Sequence, residues 1–136
     1  MKTKVFFLSA LLILTISSII QAQQSSNNQV LISYPDYDLE LVGFKDSISG
    51  KIVIPAKYSY SEYFFEDYAA INMGCTWGNA FYDSEFQGGK WGYIDKSGKI
   101  VIPVIYENAY RFLNNKAEVK LNGETFFINK KGERVK

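Results

Sequence analysis

Short apolar segments alternate with turn residues along most of the chain, and this pattern predicts β-strands. The clearest examples are two copies of GKIVIP, at residues 50–55 and 98–103. Each copy is rich in β-branched residues, which favour strands, and ends in proline, which has no backbone N–H to donate. The second copy follows the apolar segment Trp91–Ile94 and the turn Asp95–Gly98. We therefore predict an antiparallel hairpin whose ladder stops at Pro103.

The same hairpin pattern occurs in two other parts of the chain. The first copy uses the turn Asp46–Gly50, which is one residue longer and is expected to be looser or bulged. The third copy uses the turn Asn129–Gly132. Further strands are predicted after the two proline-containing copies, at Tyr68–Asn72 and Ala117–Leu121. Each unit is thus about three short strands, and such a unit must stack on similar neighbours to bury its apolar face.

The stretch KWGYIDKSGKIVIPVIYENAYRF at residues 90–112 resembles a unit of the WG-repeat family. The resemblance covers roughly residues 41–136, with one insertion at about 74–89. The flanking copies depart from the pattern, because Val42 replaces the tryptophan in the first and Thr125-Phe126 replaces Trp-Gly in the third. The resemblance implies an all-β array of hairpins, common in secreted or surface-associated bacterial proteins, with no shared catalytic residues.

The predicted fold class is therefore all-β, an array of about two and a half short antiparallel β-hairpin repeats after an N-terminal signal peptide. The first 22 residues carry Lys2, Lys4, an apolar run and Ala22 at a plausible cleavage point, as secretory signal peptides do. A retained membrane anchor is the alternative, although the run Val5–Ile20 is short for a spanning helix, which needs about 20 residues.

The expected organisation follows from this N-terminal segment. We expect a signal peptide at 1–22, a flexible polar lead at 23–29 and a single repeat domain at 30–136. The strand-forming stretch 30–42 is expected to add an edge strand to the first repeat. The protein would be exported to the periplasm, the cell surface or the extracellular space, with no integral membrane segment after cleavage.

Composition narrows the chemistry that the exported chain can perform. Of its 15 Lys and Arg residues, Lys2 and Lys4 lie in the leader, so 13 remain against 14 Asp and Glu, a net charge of −1. Nucleic acid is therefore not an expected partner. Histidine is absent, which removes the commonest general base and metal ligand. The one cysteine, Cys75, cannot form an internal disulfide and is expected to be buried and inert. We expect no enzyme activity, cofactor or bound metal.

The insertion GCTWGNAFYDSEFQGG is the most individual part of the chain. Loops on a rigid scaffold often carry function, and aromatic side chains grip peptides and sugars. The candidate ligand-binding residues are Trp77, Phe81, Tyr82 and Phe86. The alternative is a longer hairpin whose aromatics cover a neighbouring apolar face. The expected function is a binding or scaffold module whose partner is a protein or an envelope glycan.

Acidic pairs keep a second function class open, a small glycosidase-like hydrolase. Glu66-Asp67 and Asp83 with Glu85 are the candidate pairs. Glycoside hydrolysis needs two carboxylates that face each other at about 5–9.5 Å, which adjacency in sequence does not supply. Trp91, Tyr58 and Tyr106 occupy repeat positions and are expected to be packing residues with partners for their polar atoms.

Overall fold

The computed structural model describes residues 29–76 and 87–136, and residues 31–136 form one compact unit. The described residues contain strands and turns without a helix. The strands are β1 Leu31–Asp36, β2 Leu41–Asp46, β3 Ile52–Tyr58, β4 Tyr60–Ser61, β5 Tyr68–Thr76, β6 Gln87–Asp95, β7 Ile100–Tyr106, β8 Asn108–Ala109, β9 Lys116–Leu121, β10 Glu124–Asn129 and β11 Arg134–Val135. The predicted all-β fold is confirmed.

The strands form three antiparallel sheets in chain order. The first sheet is β1-β2-β3, the second is β4-β5-β6-β7, and the third is β8-β9-β10-β11. Within each sheet, every ladder joins strands that are neighbours in the sequence. Strand β1 lies at the edge of the first sheet, as the sequence predicts for the stretch that begins at Val30.

One side chain organises each hairpin turn. The Oδ1 atom of Asp95 accepts hydrogen bonds from the amides of Ser97 (2.9 Å) and Lys99 (3.1 Å) and from the Ser97 hydroxyl (2.6 Å). Asn129 does the same with two amides, at 2.9 and 3.0 Å. The turn glycines Gly98 and Gly132 have φ values of 82° and 78°, which non-glycine residues rarely adopt. These contacts confirm the predicted hairpin turns.

The longer first turn is not looser than the others. The amide of Gly50 donates to the Asp46 carbonyl at 2.9 Å, and the Asp46 amide donates to the Lys51 carbonyl at 2.9 Å. The extra residue is accommodated by a hydrogen bond that spans one more residue than its counterpart from Gly98 to Asp95. The bulging expected in this hairpin is present in its ladder, but the second hairpin is bulged at the equivalent place.

The prediction that proline ends each ladder is wrong. Strand β7 continues through Pro103 to Tyr106, which pairs with Trp91. The register shifts between the Tyr93–Ile102 and Trp91–Tyr106 pairs, so the proline lies in a bulge, where a missing N–H is tolerated.

The same bulge explains the glycine of the Trp-Gly pair. A Cβ on Gly92 would lie 2.8 Å from the Ile102 carbonyl oxygen and 2.8 Å from the Val104 Cα. A Cβ on the equivalent Gly43 would lie 2.5 Å from the Ile54 carbonyl oxygen. The bulged return strand therefore comes too close for any side chain at this position.

Short links carry the chain from one sheet to the next. After β3, the amide of Ser59 donates to the Asn72 carbonyl at 3.0 Å, and after β7 the amide of Glu107 donates to the Lys120 carbonyl at 2.8 Å. The two-residue strands β4 and β8 form here, and the sequence pattern did not predict them. Each link ends in a tight turn, at 65–68 and 113–116, whose two central residues have positive φ.

Two apolar cores lie between successive sheets. The first is made by Leu31, Phe44, Ile54, Tyr58, Ala69, Ile71 and Ile94. The second is made by Ala70, Trp91, Tyr93, Ile102, Tyr106, Ala109, Phe112, Ala117, Val119 and Ile128. The middle sheet contributes to both, because side chains alternate between the two faces of a strand. Stacking of units is therefore what buries the repeated apolar residues.

Equivalent residues make equivalent contacts in the two cores. The rings of Phe44 and Phe64 lie 4.8 Å apart at 64°, and those of Tyr93 and Phe112 lie 4.9 Å apart at 61°. Both pairs have the edge-on geometry that aromatic rings prefer. The aromatic residue that follows Gly43 or Gly92 thus packs on the phenylalanine of the next link.

Candidate interaction surface

The four predicted ligand-binding residues, Trp77, Phe81, Tyr82 and Phe86, lie outside the described residues, as do Asp83 and Glu85. The structure does show how the insertion begins and ends. Cys75 pairs with Gly88 and Thr76 with Gln87, so the ladder between β5 and β6 extends into the region that the repeat alignment assigns to the insertion. The insertion is thus rooted in an extended hairpin of the second sheet.

An open groove of about 450 Å³ lies at the root of this hairpin. Its described lining is Leu39, Glu40, Leu41, Ser59, Cys75 and Thr76. A second open hollow of about 670 Å³ is lined by Pro35, Asp36, Tyr37, Glu40, Leu41 and Val42, so the two share Glu40 and Leu41. Tyr37 and Leu39 are 85 % and 58 % exposed. The β1–β2 turn and the root of the insertion therefore form one surface that carries exposed apolar side chains and acidic groups.

The acidic side chains of this region are partly used in local structure. The Asp36 carboxylate accepts hydrogen bonds from the amides of Asp38 and Leu39, both at 3.1 Å. Glu40 has φ 54°, a strained value for a residue with a side chain. In the described parts of the chain, no group of three or more His, Cys, Asp or Glu side chains has a geometry suited to holding a metal ion.

Cys75 is buried at the edge of the groove. Burial raises the pKa of its thiol above the ordinary value of 9.0. A protonated thiol is a poor nucleophile, so the position fits the expected inert packing role. The neighbouring Asn72 is fully buried, and its Oδ1 accepts a hydrogen bond from the Cys75 amide at 3.1 Å.

The residues that the sequence assigns to packing are buried. Trp91 is 7 % exposed, and its ring meets that of Tyr60 edge-on at 5.8 Å. Tyr58 donates to the Gly98 carbonyl at 3.4 Å. Tyr93 donates to the Tyr110 carbonyl at 2.7 Å, and its burial raises the pKa of its hydroxyl well above the ordinary value. A ligand-stacking role for Trp91 is therefore excluded by its position in the second core.

The carboxylates of Glu66 and Asp67 make contacts with different partners. The Glu66 carboxylate accepts hydrogen bonds from the amides of Asn114 (2.6 Å) and Asn115 (2.9 Å), which belong to the equivalent turn of the next repeat. Asp67 instead pairs with Lys96 at 2.9 Å, and the hydrogen bond from Lys96 lowers the pKa of the Asp67 carboxyl. These acids join neighbouring repeats, a role that sequence reasoning missed because the partners lie far apart in the chain.

Comparison with known families agrees with the repeat architecture. The profile described as WG containing repeat matches residues 43–77 and 91–124, which together make up half of the chain. The two matches begin in the Gly43 and Trp91 hairpins and end within the insertion and after β9. Searches among curated proteins and among solved structures found no match to the chain.

Proposed function

Because the chain belongs to the WG containing repeat family, we propose that it is an exported, non-enzymatic binding or scaffold module. Its partner is a protein or an envelope glycan. The observation that carries this proposal is that two sets of residues occupy different places in the structure. The repeated aromatic and branched residues fill the two cores, whereas the open grooves are lined by residues 35–42, Ser59 and the root of the insertion.

The insertion is the proposed contact region, with Trp77, Phe81, Tyr82 and Phe86 as its aromatic residues. The groove supports this assignment because it places Leu39, an exposed apolar side chain, beside Cys75 and Thr76 of the strand that leads into the insertion. Exposed apolar surface of this kind is typical of interaction sites.

A capture experiment tests the binding function. The protein recovered from expressing cells is immobilised, envelope extract is passed over it, and a retained protein or glycan is identified, purified and rebound. Changing Trp77, Phe81 and Tyr82 to alanine should abolish rebinding. A matched control changes the exposed Ile48, Ile100 and Ile105 to alanine and should leave it intact. Capture that survives the aromatic changes would move the site away from the insertion.

A parallel screen for glycan hydrolysis tests the non-enzymatic part of the proposal. No turnover is expected with any envelope glycan. Turnover that disappears in Glu85→Gln would identify a carboxylate-dependent hydrolase and overturn the proposal, because one lost carboxylate abolishes such catalysis.

The proposed export rests on the N-terminal sequence. Within residues 29–76 and 87–136, no helix is long and apolar enough to cross a membrane. Mass spectrometry of the protein recovered from expressing cells should show a chain that begins at Gln23. A chain that still carries Met1 in the membrane fraction would support a retained anchor instead.

A further inference from the structure

We propose that the outward surface of the two links forms a second binding site, for an acidic segment of a protein partner. This surface, the link stripe, consists of Tyr63, Phe65, Arg111 and Leu113. The inference deepens the proposed binding function and rests on it, but it uses none of the insertion residues.

Repeat geometry brings Phe65 and Arg111 into contact, and Tyr63 and Leu113 lie two residues from them along the two links. Tyr63 and Arg111 occupy equivalent positions in the two links, as do Phe65 and Leu113. The Arg111 guanidinium carbon lies 5.0 Å from the centre of the Phe65 ring. Hydrogen bonds from Asn114 and Asn115 to Glu66 hold the two following turns together. The stripe therefore runs across two repeats on a fixed backbone.

The residues of the stripe belong to neither of the two cores. Phe64 and Phe112 point inward from the same links and pack in the two cores. The residues beside them point outward, and Tyr63 is 71 %, Leu113 56 % and Phe65 39 % exposed. Tyrosine, phenylalanine and arginine are also the residue types that are enriched in protein interfaces. A surface of this composition is suited to binding a protein.

The charge of the stripe indicates the chemistry of the partner. Arg111 forms no ion pair with any residue of the ranges 29–76 and 87–136. Glu66 follows Phe65 directly, but its carboxylate is already engaged by two amides and by Lys130 at 3.6 Å. Among the described residues, the stripe thus presents one guanidinium without an ion pair, beside apolar side chains. Arginine in such a setting binds a carboxylate, often with two parallel hydrogen bonds.

The partner segment should therefore carry Asp or Glu next to apolar side chains. Its carboxylate would meet Arg111 while its apolar side chains lie on Phe65 and Leu113. An anionic glycan offers the carboxylate without the apolar side chains, so it would satisfy Arg111 alone and leave most of the stripe uncovered.

Binding of a pair of short fluorescent peptides, measured by anisotropy, tests the assignment. One peptide alternates Asp with Phe and Leu, and the other has Asn in place of Asp. The Asp peptide should bind the protein at least about tenfold more tightly, since an ion pair worth 1.4 kcal/mol gives that factor. Arg111→Glu should lower the affinity for the Asp peptide by at least about tenfold. Added salt should lower the affinity of the parent protein for the same peptide.

The control variants change a positive charge or an apolar side chain on surfaces outside the link stripe. Lys131→Glu reverses an exposed charge on the β10–β11 turn, and Ile48→Ser removes an apolar side chain that is 90 % exposed. Neither should change the affinity by more than about twofold, the range usual for residues outside an interface. Changing both Tyr63 and Leu113 to serine should lower the affinity for the Asp peptide. Circular dichroism of this variant checks that its strands persist.

In the binding assays, the inference would be overturned by no binding of the Asp peptide, by equal affinity for both peptides, by equal losses in the controls, or by tighter binding of polygalacturonate, an anionic glycan, than of the Asp peptide. The outcome is separable from that of the proposed function. If a partner retained in the capture experiment still binds Arg111→Glu normally, the link stripe is not the site and the binding function stands. If no partner is captured and no peptide binds, both fail.

Discussion

Single side chains fix the hairpin turns, and Asp95 shows how. Burial alone would raise the pKa of its carboxyl, but hydrogen bonds from the Ser97 hydroxyl and from the amides of Lys99 and Ser97 outweigh that effect. The pKa therefore lies below its ordinary value of 3.8. A carboxyl whose pKa is lowered by folding stabilises the protein above its unfolded pKa, and that stability is lost as the pH falls through the folded pKa.

Two substitutions at Asp95 separate geometry from charge. Asp95→Ala removes the acceptor of three hydrogen bonds and should cost about 1–3 kcal/mol of unfolding free energy at neutral pH. Asp95→Asn keeps the acceptor, as the natural Asn129 does, and should cost less while removing this residue's share of the stability lost below pH 3.8. Urea unfolding between pH 2 and pH 7 measures both. Equal costs for the two variants would show that the acceptor geometry does not matter.

Trp91 is the largest side chain of the second core, and its removal should be severe. Trp91→Ala should cost about 3–5 kcal/mol, because it removes a buried ring and leaves a cavity beside Tyr60. Tyr110→Ala is the matched control, since that ring is 55 % exposed. Urea unfolding followed by circular dichroism should show the first variant unfolded or close to it and the second near the parent. Parent-like unfolding of Trp91→Ala would contradict the burial of this residue.

At the residue scale, the sequence was sufficient wherever a contact is local. The turns follow from Asp or Asn, which bond to amides two to four residues on, and from glycine at positive φ. Pro103 was misjudged because its type does not tell which side of the ladder its missing N–H faces. The role of Glu66 was missed because its partners are 48 and 49 residues away.

At the scale of elements, the turn of one hairpin packs against the return strand of the preceding one. A Cβ on Gly98 would lie 3.1 Å from the Ile54 side chain, and a Cβ on Gly132 would lie 3.5 Å from Ile102. Gly50 has no such neighbour among the described residues, because its hairpin is in the first sheet. The glycines of the repeat thus serve two purposes, a left-handed backbone and close approach between units.

Alanine substitutions separate these two purposes. Gly50→Ala places a side chain at φ 70° in open space and should cost about 1–2 kcal/mol, the strain of a left-handed residue. Gly98→Ala adds to the same strain a tight contact with Ile54 and should cost about 1 kcal/mol more. Denaturant unfolding of the two variants gives the difference directly. If the two costs are equal, the packing between repeats tolerates a methyl group at Gly98.

The long strands could be predicted from alternation and turn chemistry, whereas the short ones could not. Strands β6 and β10 contain the apolar runs that the sequence identifies. Strands β4 and β8 are two residues long and exist because their backbone meets the next sheet. Their formation depends on stacking, which a local pattern does not encode. The candidate site has the same limit, because the groove and the neighbouring hollow are made by residues from β1, β2 and β5 that only the fold brings together.

For the whole molecule, charged residues interrupt the apolar pattern on the two outer faces of the stack. Lys45 pairs with Ile32 in the first sheet, at the position that Ile94 occupies in the second. Glu118 pairs with Phe127 in the third sheet, at the position of Ala70. A charge on the outer face of a terminal repeat opposes further stacking.

Removing both charges should therefore promote self-association. The double variant Lys45→Ile and Glu118→Ala gives each outer face the residue type that the middle sheet buries. Sedimentation velocity over a range of concentrations should show oligomers that the parent does not form. The control, Lys131→Ile with Asp38→Ala, removes one charge of each sign from exposed turns and should sediment as the parent does. A strictly monomeric double variant would show that these charges do not limit the stack.

The pairing of every strand with its neighbour in sequence has a consequence for how the molecule acquires its structure. Ladders between sequence neighbours require short loop closures, so the entropy lost before each contact forms is small. A polypeptide that becomes free to fold from its amino terminus onward could complete the first sheet before the residues of the third sheet are available. Assembly would then proceed vectorially, with each completed sheet providing the surface on which the next sheet packs. The second face of the middle sheet would be covered last, when the third sheet forms.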